Sequence, residues 1–375
     1  MESYYYSPPR DGLVYLVTGG CGFLGEHIVK MLLERESRLK ELRILDIEYK
    51  DWLNELVFKF RSVEIVFIKA SITDNDIVLN ATAGVDLIIH TACIVDVFGK
   101  FSDRQIMEVN VTGTKNLLEA CITNGVGYFI FTSSMEAVGP NTDREPFIGD
   151  EDTAYTVKHP HVYSRSKAEA EKLVLSYNGR AVCGGRFMTT AAIRPTGVYG
   201  EGDALTMKSF HQAKKLRNKM YRTISPTVEH SRVYVGNAAW MHVLLAKQMP
   251  YKSKIVGGQV YYTYDNSPTG LSYEDFNLLF FKFFGVKLVG ETKPVIPHNM
   301  LKALAYVNKG IQTCLKPFCK FTPMLNPATL AIATTTFAVK TNKANEHFGY
   351  RAVYCWEASQ LRTIKWIFNT ELLEV

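Results

Sequence analysis

Residues 17–25 read V-T-G-G-C-G-F-L-G, behind the apolar run Leu13-Val14-Tyr15-Leu16 and ahead of an amphipathic stretch, His27 to Leu33. Strand, glycine turn and helix in that order open a dinucleotide-binding unit. Gly19 permits a tight turn, Gly22 lets the backbone approach a pyrophosphate, and Gly25 lets the helix pack closely on the strand. The helix N-terminus then presents unpaired N–H groups and a positive dipole end to the phosphates. The spacing is G-x-x-G-x-x-G rather than G-x-G-x-x-G. Its place between a strand and a helix distinguishes it from a glycine-rich surface turn.

A second strand, Arg43–Asp46, ends on an acid about 20 residues past the last glycine, where such a fold binds the adenosine ribose. A carboxylate there accepts hydrogen bonds from both ribose hydroxyls and repels a 2′-phosphate. Ile47-Glu48 supplies no arginine to offset that repulsion. The cofactor expected is therefore NAD rather than NADP.

Further apolar runs at Glu64–Ala70, Leu87–Thr91, Tyr128–Ser133 and Thr190–Arg194 alternate with helical patterns. This reads as an α/β fold, a Rossmann-type doubly wound parallel sheet. The expected organisation is a nucleotide domain over residues 10–205 and a smaller C-terminal lobe over 206–375. A strand at Gln259–Tyr264 returns to the sheet, so the lobe is interleaved rather than hinged. A chain of 375 residues with 47% hydrophobic content can bury a core of that size. Net charge is +6 and dispersed, so nucleic acid is not implied. The seven cysteines form no C-x-x-C pair and no zinc spacing, which reads as reduced thiols facing a cytosol, with no metal site. The N-terminus lacks the apolar segment of a signal peptide. Asn80 and Asn110 stand in N-x-T sequons, but inside the nucleotide domain.

The chemistry-bearing pattern is Tyr163-x-x-x-Lys167 in H-V-Y-S-R-S-K-A-E-A-E-K. Four residues apart on a helix puts both side chains on one face. Tyrosine is a poor base at neutral pH. A nearby ammonium and a cationic nicotinamide ring are expected to favour its phenolate. Ser134 follows the fifth strand, at the sheet edge where ligands bind in open α/β folds, and can hold a substrate oxygen beside Tyr163.

Glycine turn, strand-end serine and Tyr-x-x-x-Lys together resemble the extended short-chain dehydrogenase/reductases. The longer strings I-I-H-T-A-C-I-V-D-V-F-G, I-F-T-S-S-M-E-A-V-G-P-N, I-R-P-T-G-V-Y-G-E-G-D and S-R-V-Y-V-G-N-A-A-W-M-H-V resemble the 3β-hydroxysteroid dehydrogenase/Δ5-Δ4 isomerase family. The similarity runs from Leu13 to about Trp366. Other segments, among them S-P-T-V-E-H-S-R-V-Y-V-G-N, are similar to the branch acting on 27-carbon 7α-hydroxylated sterols in bile acid synthesis.

The resemblance implies that Tyr163 is the general base, Lys167 its electrostatic partner and Ser134 the hydroxyl-orienting donor. It implies pyrophosphate on Gly19, Gly22 and Gly25, ribose on Asp46, the adenosine side on Thr91 and Ala92, and the nicotinamide amide by Pro195 and Thr196. Asn110 becomes a structural residue near the active-site helix. One departure stands out. The family places an acid after the third strand for the adenine amine, and this chain has Ser71.

The implied reaction oxidises a 3β-hydroxyl and moves the Δ5 alkene into conjugation. For that second step the resemblance points to Y-Y-T-Y-D-N-S-P, with Asp265 the first candidate and Tyr262 a weaker one. Asp265 reads equally well as a turn former before Asn266-Ser267-Pro268. Two other readings remain: the same fold acting on a nucleotide sugar as epimerase or dehydratase, and an NAD-sensing protein without catalysis. The run F-N-L-L-F-F-K-F-F-G suits a sterol pocket, and also an ordinary core.

Met300, Leu304, Val307, Ile311 and Leu315 form one stripe of a predicted helix between Pro297 and Pro317, with Lys302, Lys309 and Lys316 opposite. No run offers the roughly 18 apolar residues of a spanning helix. The pattern predicts a membrane-surface helix over Met300–Lys316. The expected partners are thus a sterol and a membrane, at the cytosolic face of the endoplasmic reticulum. A homodimer is left open.

Overall fold

The structure, a computed structural model, describes residues 12–140, 145–155, 157–158, 161–316, 318–319 and 321–373. The N-terminal stretch and Pro317 lie outside these. Seven parallel strands make the central sheet: β1 (Leu13–Thr18), β2 (Leu39–Asp46), β3 (Glu64–Lys69), β4 (Leu87–His90), β5 (Tyr128–Thr132), β6 (Thr189–Arg194) and β7 (Gln259–Tyr262). Their order is β7-β6-β5-β4-β1-β2-β3. Six of the strands follow the apolar runs read from the sequence to within two residues. β2 starts earlier, because Leu39 pairs with Leu13. The register brings Thr18 beside His90, Thr132 beside Ile193 and Arg194 beside Tyr262, so all the carboxyl ends meet on one edge.

The named helices are α1 (Phe23–Arg35), α2 (Thr114–Asn124), α3 (Val162–Ser176), α4 (Val235–Val256), α5 (Tyr273–Phe281), α6 (His298–Leu315), α7 (Pro327–Thr334) and α8 (Trp356–Leu373). Strand alternation divides the core. Tyr15 and Val17 face a layer containing Ile28 and Val29 of α1 and Met241 and Leu245 of α4. Leu16, Phe129 and Phe131 face Leu117 of α2 and Ala170 and Val174 of α3. Burial of these apolar side chains, about 25 cal/mol per Å², is the main term that holds α3 on the sheet.

The C-terminal lobe is more deeply interleaved than a boundary at residue 206 suggests. α4 and β7 both belong to the sheet layers, and so do Ala344, Phe348 and Tyr350. Short parallel pairs tie distant segments together: Gly197–Tyr199 with Arg232–Tyr234, and Phe147–Gly149 with Phe337–Val339. Three phenylalanines of the phenylalanine run are core. Phe276, Phe280 and Phe281 are buried with Tyr199, Phe210 and Tyr234.

Candidate active site

The glycine turn is built as its sequence demands. Gly19 has φ +69°, and a Cβ there would lie 2.6 Å from the Ala92 backbone. A Cβ on Gly25 would overlap the Gly19 carbonyl oxygen, so helix and turn touch backbone to backbone. Gly22 caps α1 without any side-chain hydrogen bond, leaving the first-turn N–H groups free for an anion. This cradle fits a dinucleotide pyrophosphate.

Asp46 lies beside it. Its Oδ2 accepts from the Cys21 N–H at 2.9 Å and its Oδ1 from Glu48 N–H at 3.2 Å. A carboxylate has about four acceptor positions, so capacity for ribose hydroxyls remains. The lysine nearby, Lys50, is paired with Glu48 at 2.7 Å. The Thr91 hydroxyl donates to the Thr18 carbonyl at 2.7 Å, which fixes the β4 end against the turn, and the Ala92 N–H donates to the Thr18 hydroxyl at 3.5 Å. Ser71 engages Thr73 at 2.7 Å just past β3.

The catalytic candidates converge past β5. Ser134 opens a short 3-10 turn, Met135–Ala137, and its Oγ accepts from Glu136 N–H at 3.1 Å. The Ser134 hydroxyl lies near the Tyr163 side chain and favours its phenolate. Tyr163 stands in the first turn of α3, which His161 caps. The helix is held from behind by Asn110, whose side chain donates to Ser166 at 2.9 Å and to the Ile94 carbonyl at 3.0 Å. Asn110 is buried, as a structural residue should be. On the β6 side the Pro195 carbonyl accepts from Met135 N–H at 3.0 Å, and Thr196 N–H donates to Thr263 at 2.9 Å. Pro195 and Thr196 thus border the same edge.

Burial, then the charges of Cys93 and Glu136, push the Tyr163 phenol well above its ordinary value, and only the Ser134 hydrogen bond acts the other way. Lys167 is not among the influences. Its buried ammonium donates to the Thr132 carbonyl at 2.7 Å and lies 4.8 Å from the Phe131 ring centre. It shares the helix face as expected, and its charge is directed at the end of β5. Behind it His90 bridges Thr18 at 2.7 Å and Thr114 at 2.9 Å, with its pKa lowered to about 3 by burial and by Lys167.

Asp265 lies in the turn after β7. Its Oδ2 accepts from Tyr234 N–H at 2.9 Å and from Asn237 at 2.8 Å, and its Oδ1 from Ser267 N–H at 2.8 Å. The carboxylate clasps the start of α4 to the turn after β7. These contacts are those of a turn-forming acid, and they leave Asp265 at the carboxyl end of β7. Tyr262 packs among Phe147, Phe337 and Met135.

A residue the sequence reading missed is Glu136. Its Oε2 accepts from the Ser164 hydroxyl at 3.0 Å, and burial raises its pKa to about 7. No spacing rule points to it. The available signal was only an acid two residues past the strand-end serine. All seven cysteines are free thiols, and no cluster of metal-ligating side chains occurs among the described residues.

The described residues of α6 show two faces. Leu301 and Ala305 are buried against Leu330. Asn308 donates to the Leu325 carbonyl at 2.9 Å, and Gln312 to that of Phe98 at 2.7 Å. About a quarter-turn away, Met300, Leu304, Val307 and Ile311 are 53%, 41%, 56% and 42% exposed. Among the described residues no helix is long and apolar enough to cross a membrane.

Residues 16–295 match the 3-beta hydroxysteroid dehydrogenase/isomerase family. The 3 beta-hydroxysteroid dehydrogenase type 7 of Homo sapiens is 51% identical over 362 residues, covering 96% of this chain and 97% of that protein. The type 7 protein of Mus musculus is 50% identical, with 95% of each covered. The 3 beta-hydroxysteroid dehydrogenase/Delta 5-->4-isomerase of Vaccinia virus (strain Copenhagen) is 44% identical over 96% of this chain and 99% of its own length. Among solved structures, the dTDP-glucose 4,6-dehydratase DesIV of Streptomyces venezuelae superposes with TM-score 0.68 at 18% identity, covering 96% of this chain and 98% of that one. At that identity the likeness concerns the fold.

Proposed function

The chain belongs to the 3-beta hydroxysteroid dehydrogenase/isomerase family, and on that footing we propose that it oxidises the 3β-hydroxyl of a 7α-hydroxylated Δ5-sterol with NAD and yields the conjugated Δ4-3-ketone, a step of bile acid synthesis. The observation that carries this reading is that Ser134 lies beside Tyr163 at the carboxyl edge, on the same edge as the glycine cradle and Asp46.

Bound NAD would supply the acceptor for the hydride leaving carbon 3. Gly19, Gly22 and Gly25 leave room for its pyrophosphate, and Asp46 takes its ribose. Thr91 and Ala92 would line the adenosine side, and Pro195 and Thr196 the nicotinamide side. Ser134 holds the sterol hydroxyl, and Tyr163 as phenolate takes its proton, favoured by the cationic nicotinamide that would lie beside it. Lys167 holds the end of β5, so that Ser134 is fixed before substrate arrives. Positioning of this kind supplies much of the rate.

The exposed stripe of α6 supports a second part of the reading. The helix lies on an anionic membrane surface, so that a water-insoluble sterol enters without crossing bulk water. An enzyme attached in this way would work at the cytosolic face of the endoplasmic reticulum. Three lysines along about 25 Å of helix make spanning costly.

The test of the enzyme reading is NADH absorbance on incubation with NAD and separate panels of 3β-hydroxysterols and nucleotide sugars. NADH is expected with the sterols alone. Tyr163→Phe should lower turnover by roughly 10³-fold while NAD still binds. NADH formed only with a nucleotide sugar, or by the Phe variant at full rate, refutes the assignment. For the membrane, the protein should co-sediment with anionic liposomes, and Leu304→Asp with Ile311→Asp should release it. High salt should release it only in part, because the apolar contact is not screened.

A further inference from the structure

We propose that Arg232 and His230 together bind the 7α-hydroxyl of the sterol and so set the preference for 7α-hydroxylated substrates, an inference that rests on the sterol reading above. It starts from buried polar atoms that have no partner. Arg232 is 7% exposed, and neither its Nε nor its Nη2 finds a hydrogen-bond partner among the described residues. The Nδ1 of His230, two residues earlier, is buried and unpartnered as well. Buried polar groups in a folded protein ordinarily have partners, because leaving one alone forfeits its hydration for nothing. Both side chains lie against one ring. The Arg232 guanidinium carbon is 3.9 Å, and the His230 ring centre 4.4 Å, from the centre of the Tyr273 ring at the start of α5.

The chemistry of the three atoms selects the ligand. Nε and Nη2 share one edge of the planar guanidinium, so their N–H groups point the same way. His230 is neutral, since burial and then the charge of Arg232 lower its pKa to about 3. Its Nε2 meets the Ala333 carbonyl at 3.1 Å. A carbonyl only accepts, so Nε2 carries the proton and Nδ1 keeps a lone pair. Arg232 therefore donates and His230 Nδ1 accepts. A hydroxyl answers both, taking the guanidinium N–H groups on its oxygen and giving its proton to Nδ1. A carboxylate or phosphate has no proton to give and would set its lone pairs against that of His230. The acid whose charge reaches Arg232 is Asp203, and its oxygens are already taken by the Leu205 N–H and the Thr206 hydroxyl.

The position of the pair selects the hydroxyl. Arg232 opens the short strand that pairs with Gly197–Tyr199, and Gly197 stands opposite it. A Cβ on Gly197 would lie 2.9 Å from Arg232 Cδ and 3.0 Å from Nη1, so the missing side chain is what admits the arginine. Two residues before Gly197 is Pro195, whose carbonyl takes the Met135 N–H beside Ser134. Two residues of extended chain span about 7 Å. With the 3-oxygen at Ser134, carbon 7 is four bonds from carbon 3 and falls on that scale. Hydroxyls on the sterol side chain lie beyond the far end of the ring system. Holding the 3- and 7-oxygens at two fixed points orients carbon 3 before hydride leaves.

The experiment uses the full chain and takes kcat/KM from NADH absorbance for 7α-hydroxycholesterol, 7-oxocholesterol and cholesterol. The wild type should prefer 7α-hydroxycholesterol to cholesterol by on the order of 10⁴-fold, because an analogue without the hydroxyl leaves the buried groups unpaired. The 7-oxo sterol accepts from Arg232 but has no proton for His230, so it should fall between them. Arg232→Met should cut the preference for 7α-hydroxycholesterol over cholesterol by on the order of 100-fold, and His230→Phe by about 10-fold. Arg232→Lys keeps the charge without the paired donors and should restore only part of it. NAD affinity, followed by protein fluorescence, reports whether each variant is folded. A wild type that oxidises cholesterol as efficiently as 7α-hydroxycholesterol overturns the proposal. So does an unchanged preference in folded Arg232→Met, which would mean that the pair holds a buried water only. If Arg232→Met loses NAD binding, the preference of His230→Phe decides in the same way. A wild type that forms no NADH with any of the three sterols refutes the dehydrogenase reading instead.

Discussion

Asp265 and Glu136 each lie just past the carboxyl end of a central strand, β7 and β5, with β6 between them. Asp265 accepts three hydrogen bonds, two of them from backbone N–H groups. Glu136 accepts one, from a serine hydroxyl. The first carboxylate has its charge spread over fixed donors and holds two segments together. The second is partly buried with little compensation, and its proton affinity rises as a result. The number of donors already committed, rather than the residue type or its place after a strand, is what separates the two acids. Asp46, with two backbone donors, stands between them.

The comparison breaks first at Asp265. Asp265→Asn replaces one acceptor oxygen with an amide donor that faces the N–H groups of Tyr234 or Ser267. Loss of charged hydrogen bonds to buried donors should cost about 3 kcal/mol of stability. Thermal unfolding should shift down by several degrees, while the ratio of enone to NADH stays at the wild-type value. A variant of normal stability with that ratio lowered would return Asp265 to the isomerase.

Asp46 should show both kinds of effect. Asp46→Ala removes the ribose acceptor and the contact that steadies Cys21 in the glycine turn. NAD affinity should fall by about 2 kcal/mol, roughly 30-fold, and preference over NADP should relax, because the repulsion of a 2′-phosphate goes with it. Catalytic efficiency measured with both cofactors reads this. Unchanged preference would mean that Asp46 serves the turn alone.

These three acids also mark what the sequence made legible. The strands were readable because each is a short apolar run bounded by turn residues, and Asp46 because its distance from the glycines is set by one helix and one strand. The pairings of Gly197–Tyr199 and Phe147–Gly149 were not, because three-residue strands carry no period and Phe337 is remote in the chain. Tyr163 and Lys167 could be placed on one face from spacing alone. That Lys167 spends its charge on Thr132 could not, since a side chain's partner is a matter of tertiary geometry. Asp265 and Glu136 were indistinguishable in kind as letters near a strand end. Only the donors around them tell them apart.

The smallest expected effect lies at the end of β3. The Ala70 N–H donates to the Asp46 carbonyl at 3.0 Å, so the next residue, Ser71, is tied to the ribose corner. Its hydroxyl engages Thr73 and accepts from the Thr73 N–H at 3.2 Å, a local turn that an aspartate reproduces with its own side chain. Ser71→Asp should therefore leave the backbone unchanged and present a charged acceptor where the family resemblance puts the adenine amine. A hydrogen bond to a charged group exceeds a neutral one by about 1 kcal/mol, so NAD should bind about fivefold tighter. Repulsion between the new carboxylate and Asp46 would cut the gain at low salt and spare it at high salt. Titration of protein fluorescence with NAD at two ionic strengths separates these terms. If affinity is unchanged at both, the adenine does not approach Ser71, and the β3 end is structural in the same sense as Asp265.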